Sequence, residues 1–578
     1  MGGDISLEMP TANSLNLDSP VLSQRPHHGG GITKLTVDIP SSYRPPPENV
    51  ASRYPSRWRT PEFYFYAVVF AVVVPIMFWI PMSLSYTTHP NYIYYEPRLS
   101  QGWLFGRKVD NSDHQYRTFR DSVPILFSLL AGFLALKHGY ARLLAPRLTR
   151  YDVTLPHVPF ILSFGLIMLL GLHGSSAFKV LAVLYANYAI ARYTASSTLA
   201  PLATWAFNTA VLFAADKYAG FPYGSLHPSL KYLDSLEGFY RWHVGFNITM
   251  LRLISFNMDY HWACRRVGQI DNGHTLEYKE RIRTFHPLEM YNLRNYLSYA
   301  IYSPLYIGGP IISFNDFLWQ LRRPLKIPFR STLAYMFRFA VCILTMEFIL
   351  HFMYVVAIKD TKAWQGANAA ELSMIGFWNL IVVWLKLLVP WRFFRLWALL
   401  DGIDPPENML RCMVNNYSAQ GFWRSWHRSY NLWIVRYIYI PLGGTKNVVF
   451  TTILVFTFVA LWHDLSFRLL AWGWLISLFI LPELLAAYLL PPSKFGNKWW
   501  YRHLCALGAV FNMLMMVGAN LVGFVLGTQG VSYMLEQLFS SWEGIRFVII
   551  ACICIFIAVQ VMFEYRAEEI RKGIMRRC

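Results

Sequence analysis

Long apolar blocks separated by short polar turns set the organisation of the chain. "FYFYAVVFAVVVPIMFWIPMSL" (63–84) carries no charge, and "FVIIACICIFIAVQVMF" (547–563) and "VVFTTILVFTFVALW" (448–462) are built the same way. A helix needs about 20 apolar residues to cross a bilayer. The pattern predicts membrane helices near 62–84, 122–139, 158–173, 176–193, 198–216, 242–258, 331–357, 374–400, 447–463, 466–490, 503–527 and 545–564. A further stretch, 296–315, holds Pro304 and the run Gly308, Gly309, Pro310. It reads as a broken or re-entrant element, which needs shelter inside the protein. The expectation is an all-α polytopic membrane protein of about 11–13 membrane elements. Residues 1–60 are polar and rich in Ser, Pro and Gly, and read as a disordered tail without a cleavable signal peptide. The first span would then act as the targeting signal. A membrane domain follows over 61–570 and a short basic tail over 571–578.

Composition agrees with this pattern. The chain is 55% hydrophobic and 15% charged, against about a quarter charged in a soluble domain. The net charge of +19 is scattered over clusters: Arg142, Arg147 and Arg150; Arg265 and Arg266; Arg322, Arg323 and Lys326; and Arg571, Lys572, Arg576 and Arg577. Scattered charge points to basic cytosolic loops touching bilayer lipids, not to nucleic acid. The last cluster implies a cytosolic C-terminus. The basic stretch 98–120 leaves the side of the first hairpin open. None of the seven cysteines forms a CxxC pair, so neither a disulfide framework nor a metal site is expected. No internal repeat or nucleotide-binding glycine loop is present.

One segment departs from the apolar pattern. "FWRSWHRSYNLWIVRYIYIPLGG" (422–444) is too polar to span a membrane and too aromatic for an ordinary loop. Read as a helix, it places Trp423, Trp426, Tyr430, Trp433, Tyr437 and Ile440 on one face, with Arg424, His427, Arg428 and Asn431 beside them. Such a helix would lie near the membrane interface, ended by Pro441, Gly443 and Gly444. His427 is then either a site residue or a solvated part of an anchor. His463 closes the next apolar run and is followed by Asp464. An ionisable group at that depth suggests function, or a histidine bonded at the polar end of its span. Glu347 and His351 share a helix face within "CILTMEFILHFMYVV", as an ion pair, a tunnel lining or a structural hydrogen bond. Asp259 in "FNMDY" reads as structural.

Together, an aromatic segment with one histidine, a Pro-Leu-Gly-Gly break, a span and "ALWHD" resemble the membrane-bound O-acyltransferases. The likeness extends through "YSPLYIGGPIISFNDF" (302–317) and "LRLISFNMDY" (251–260) and covers roughly 60–570. "GRKVDNSDHQYRTFR" (106–120), "DGIDPPENMLRCM" (401–413) and "IYIPLGGTKN" (438–447) are similar to the fungal glycerol-uptake branch and to its Hedgehog-acyltransferase relatives. The Hedgehog branch carries an acidic residue where this chain has His427, so the chain sides with the fungal branch. The resemblance implies the family's helical bundle in the endoplasmic reticulum membrane, with the plasma membrane as the alternative. It implies transfer of a long-chain acyl group from acyl-CoA to a lipid hydroxyl, the acceptor being a lysolipid such as the lyso form of a glycosylphosphatidylinositol anchor. It makes His463 the general base and His427 its partner on acceptor or carbonyl. Arg424, Arg428 and Arg436 would either hold phosphates or anchor the segment as positive-inside charge. Asn431, Trp423, Trp426, Trp462 and Asp464 are further candidates around the substrates, with the two tryptophans of the aromatic segment favouring packing. Cys412 matches a haem-ligating position of the Hedgehog branch, while the residue itself reads as a buried thiol. The rival readings are a polyol transporter, an acyltransferase acting on a secreted protein, and an inactive scaffold.

Overall fold

A computed structural model describes residues 42–43, 55–144, 155–270, 276–463 and 467–575. Most of the expected N-terminal tail, residues 576–578 and Asp464 lie outside them. Helices dominate. The α-helices of seven or more residues are α1 (Pro61–Ser83), α2 (His114–Leu143), α3 (Val158–His173), α4 (Ala177–Thr194), α5 (Ala200–Lys217), α6 (Phe246–Cys264), α7 (Leu293–Ala300), α8 (Phe314–Arg322), α9 (Phe329–Phe352), α10 (Ala369–Asp401), α11 (Ala419–Ser425), α12 (Arg428–Ile434), α13 (Val448–His463), α14 (Phe467–Leu489), α15 (Tyr501–Asn520), α16 (Gly527–Phe539) and α17 (Trp542–Arg571). Every predicted span falls on one of them. Among the described residues, seven helices are long and apolar enough to cross a membrane: α1, α2, α9, α10, α14, α15 with its continuation to Val525, and α17.

Local sequence explains where these helices start and stop. Asp113 caps α2 by accepting from the Tyr116 N–H (2.8 Å). Asn368 and Glu371 form a reciprocal capping box at the start of α10, and Gly402 ends it in the left-handed conformation (φ 91°). The most apolar window of α10 is 67% buried, against 11% for α1. So α10 is an axis of the bundle, and α1 presents its side chains to lipid.

Helix α6 is internal: every residue from Thr249 to His261 is buried. Its polar side chains therefore need partners. Asn257 bonds Asn187 and Thr204 on α4 and α5. Arg252 donates to the Ala300 carbonyl (2.9 Å) and to the Leu305 carbonyl. Those carbonyls belong to the expected broken element, which is α7, a turn at Ser303–Tyr306, and extended chain leading into α8. Its interrupted backbone is satisfied from outside. Ile311 N–H donates to Ser429 Oγ (2.9 Å), Phe314 N–H to Ser255 Oγ (3.0 Å), and Asn315 N–H to Asp259 (3.0 Å). This is the shelter that broken backbone at membrane depth requires.

The alternatives for Glu347 and His351 resolve into a structural hub. Glu347 accepts from Trp103 Nε1 (3.0 Å) and Tyr116 O–H (2.9 Å). His351 accepts from the Trp103 N–H (3.3 Å) and bonds the Glu347 carbonyl (2.7 Å). Together they hold the hairpin of Leu99–Gln101 and Lys108–Asp110 against the end of α9. That helix stops at Phe352, short of the expected 357, because Asp110 captures the N–H groups of Val356 and Ala357 and starts a new turn there.

Candidate active site

The aromatic segment is not the continuous interfacial helix expected from its periodicity. It divides into α11 and α12, and the break is at His427, whose backbone is left-handed (φ 44°, ψ 49°). A non-glycine residue there costs about 1–2 kcal/mol. The surroundings enforce it. Trp426 pairs with Met409 as an isolated bridge, and Arg428 N–H donates to the Asn408 carbonyl (3.0 Å). Asn408 Oδ1 also accepts from Ser429 N–H (3.2 Å) and Ser429 O–H. Residues on both sides of His427 are thus pinned to one strand-like stretch.

The expected aromatic face exists but turns inward. Trp433 Nε1 donates to the Leu251 carbonyl of α6 (2.9 Å), and Tyr437 O–H bonds Ser255 (2.8 Å) and Asp259 (3.0 Å). Arg436 pairs with Asp259 at 2.7 Å and lies over Trp262. It is committed to the core and is not free for a phosphate, contrary to expectation. Arg424 is exposed and reaches only Gln420 (3.3 Å) among the described residues. Arg428 and Asn431 are half-buried near His427. Trp423 packs against Phe456 and Trp472, and Trp426 against Phe422 and Trp391, as packing residues do.

The two histidines converge. His427 stacks on Trp391 of α10 (4.5 Å between centroids, 20° between planes) and lies beside Tyr430 (5.2 Å). Trp462 stacks on Tyr430 (4.3 Å), faces His427 at 6.5 Å, and touches His463 at 4.7 Å. Its indole N–H is anchored on the Asn247 carbonyl (2.8 Å). One tryptophan thus separates the two imidazoles, which are close enough to interact electrostatically. Among the described residues neither ring has a hydrogen-bond partner. His463 is exposed at the end of α13.

Cys412 is half-buried against the hydrophobic core. Arg392 and Cys342 lie beside it, and the N–H groups of Met413 and Val414 point at its sulfur. That setting fits a packed thiol and gives haem no support, so no step is routed through that group. Among the described residues no three His, Cys, Asp or Glu side chains gather as metal ligands. Sequence reading missed Trp391 and Asn408, and gave Tyr430 only a place on the aromatic face. It also missed Glu483 on α14, although a lone acid inside an apolar run was a visible signal.

Residues 223–528, which contain both histidines, match the model of the membrane-bound O-acyltransferase family. The fold and this match define the chain as an integral-membrane O-acyltransferase. It is 46% identical to membrane-bound O-acyltransferase GUP1 of Saccharomyces cerevisiae, over 95% of this chain and 98% of that protein. Against gup1 of Schizosaccharomyces pombe the identity is 41%, over 99% and 97% of the two chains. The mouse protein-cysteine N-palmitoyltransferase HHAT is more distant, at 26% over 43% of this chain and 53% of its own length. The protein belongs to the membrane-bound O-acyltransferase family.

Proposed function

We propose that the protein transfers a long-chain acyl group from acyl-CoA to a hydroxyl of a lysolipid, the lyso form of a glycosylphosphatidylinositol anchor, in the endoplasmic reticulum membrane. The observation that carries this reading is the pair of imidazoles, without hydrogen-bond partners among the described residues, that both contact Trp462. A neutral hydroxyl is a weak nucleophile and needs a base. His463 takes the hydroxyl proton as the oxygen attacks the thioester carbonyl. The acyl–oxygen bond forms and the acyl–sulfur bond breaks. The proton then passes from His463 to the departing CoA thiolate. His427, fixed by its stack on Trp391, orients the acceptor or polarises the carbonyl. The exposed Arg424 meets the CoA phosphates. The choice of acceptor rests on the likeness to the fungal branch.

The test is single-turnover transfer from labelled long-chain acyl-CoA to the lyso-anchor lipid, with the purified protein in nanodiscs. His463→Ala is expected to lose about 10²–10⁴-fold in rate at equal folded yield. Transfer undiminished in His463→Ala refutes the role of the base. No transfer to any lysolipid, with polyol flux in proteoliposomes that survives the substitution, refutes the reaction.

A further inference from the structure

Helix α14 carries one acidic residue in "LISLFILPELLAAYL", Glu483, directly after Pro482. An ionised carboxylate at membrane depth is costly and persists where something requires it. Glu483 does not meet a basic side chain among its described bonds. It reaches across to the first residues of α11. Its carboxylate accepts from Ser418 O–H, from the Ala419 N–H (2.9 Å) and from the Gln420 N–H (3.3 Å). Asn512 Nδ2 of α15 adds a fourth bond (3.3 Å). Ser418 Oγ meanwhile accepts from the Gly421 N–H (3.0 Å).

A serine cap alone satisfies the usual need of a helix start, and its loss costs about 1 kcal/mol. Here the cap is itself capped by a carboxyl group of α14 that also bonds α15. The start of α11 is therefore fixed beyond what the stability of a short helix asks. Its far end leads within two residues to His427. At about 1.5 Å per residue, α11 is a strut of roughly 10 Å between the Glu483 carboxylate and the strained histidine. Asn408 clamps the chain on the other side of that histidine.

We infer that Glu483 is a positioning residue for His427, acting through α11 and without touching substrate. The inference rests on the reading of His427 as part of the reacting centre. Loss of the carboxylate frees the start of α11, and a displacement of about 1 Å at a reacting group lowers rates about 100-fold.

The test is a double-mutant cycle read by single-turnover acyl transfer in nanodiscs. The proteins are the wild type, Glu483→Ala, His427→Ala and the double variant, with Glu483→Gln as the isosteric control. Glu483→Ala is expected to slow transfer about 10- to 100-fold, with KM for acyl-CoA changed by no more than about twofold. Glu483→Gln, which keeps an acceptor for part of the cluster, falls between. In the His427→Ala background the Glu483 substitution is expected to cost no more than about twofold. An equal loss in both backgrounds overturns the inference and makes Glu483 a general structural residue. A slow His427→Ala enzyme beside a full-rate Glu483→Ala enzyme overturns it also. A His427→Ala enzyme as fast as the wild type overturns the reading of the site, and this inference with it. If Glu483→Ala yields no folded protein, Glu483→Gln serves in the same cycle with the same criteria.

Discussion

Removing the carboxylate of Asp259 is expected to be among the most damaging single changes outside the histidine pair. Asp259 is fully buried and accepts from Arg436 (2.7 Å), Tyr437 O–H (3.0 Å) and Asn315 N–H (3.0 Å). Three separate parts of the chain thus meet on one side chain: α6, the broken element, and the turn after α12. Asp259→Ala leaves the Arg436 guanidinium buried beside Trp262 with no anion. Breaking one partner of a buried pair costs about 3–5 kcal/mol, while replacing both by apolar groups is often near neutral. Asp259→Ala and Arg436→Met should therefore each lower stability by about 3–5 kcal/mol, and the double variant by less than either alone. Unfolding in mixed detergent micelles, followed by tryptophan fluorescence, measures all four proteins. A double variant that loses the sum of the two single losses refutes the argument. So does an Asp259→Ala midpoint equal to that of the wild type.

Four more outcomes follow from the geometry. Trp391→Ala removes the ring on which His427 stacks, worth about 0.5–1.5 kcal/mol as a contact, and should slow transfer well beyond tenfold while Trp391→Phe retains most activity. Gly102→Ala would place a Cβ 2.3 Å from the Arg107 carbonyl and 2.7 Å from the His351 ring. It should cost about 1–3 kcal/mol in an unfolding assay by forcing the hairpin off α9. Arg424→Ala should raise KM for acyl-CoA by about two- to fivefold, a surface charge contact, with kcat unchanged. Arg436→Ala should instead reduce the folded yield.

The bundle was legible because apolar blocks of membrane length have few other uses. Even the broken element at 296–315 announced itself through Pro304 and the Gly308, Gly309, Pro310 run. The break at His427 did not. Its neighbours carry good helix periodicity, and the bonds that interrupt the helix come from Asn408, far outside any local window. Arg436 misled for a related reason. A basic residue beside aromatic ones fits a phosphate site or a buried pair equally well until Asp259 is seen opposite it. Trp391 lies in an apolar helix where one more tryptophan carries no signal.

The left-handed backbone at position 427 also acts as a filter on what chemistry that position can host. Among non-glycine residues, Asn, Asp and His enter this region most readily, and β-branched or bulky side chains pay the most. Those three side chains can each accept or donate a hydrogen bond to a reacting group. The turn therefore confines drift at this position to a small set of polar, reactive side chains.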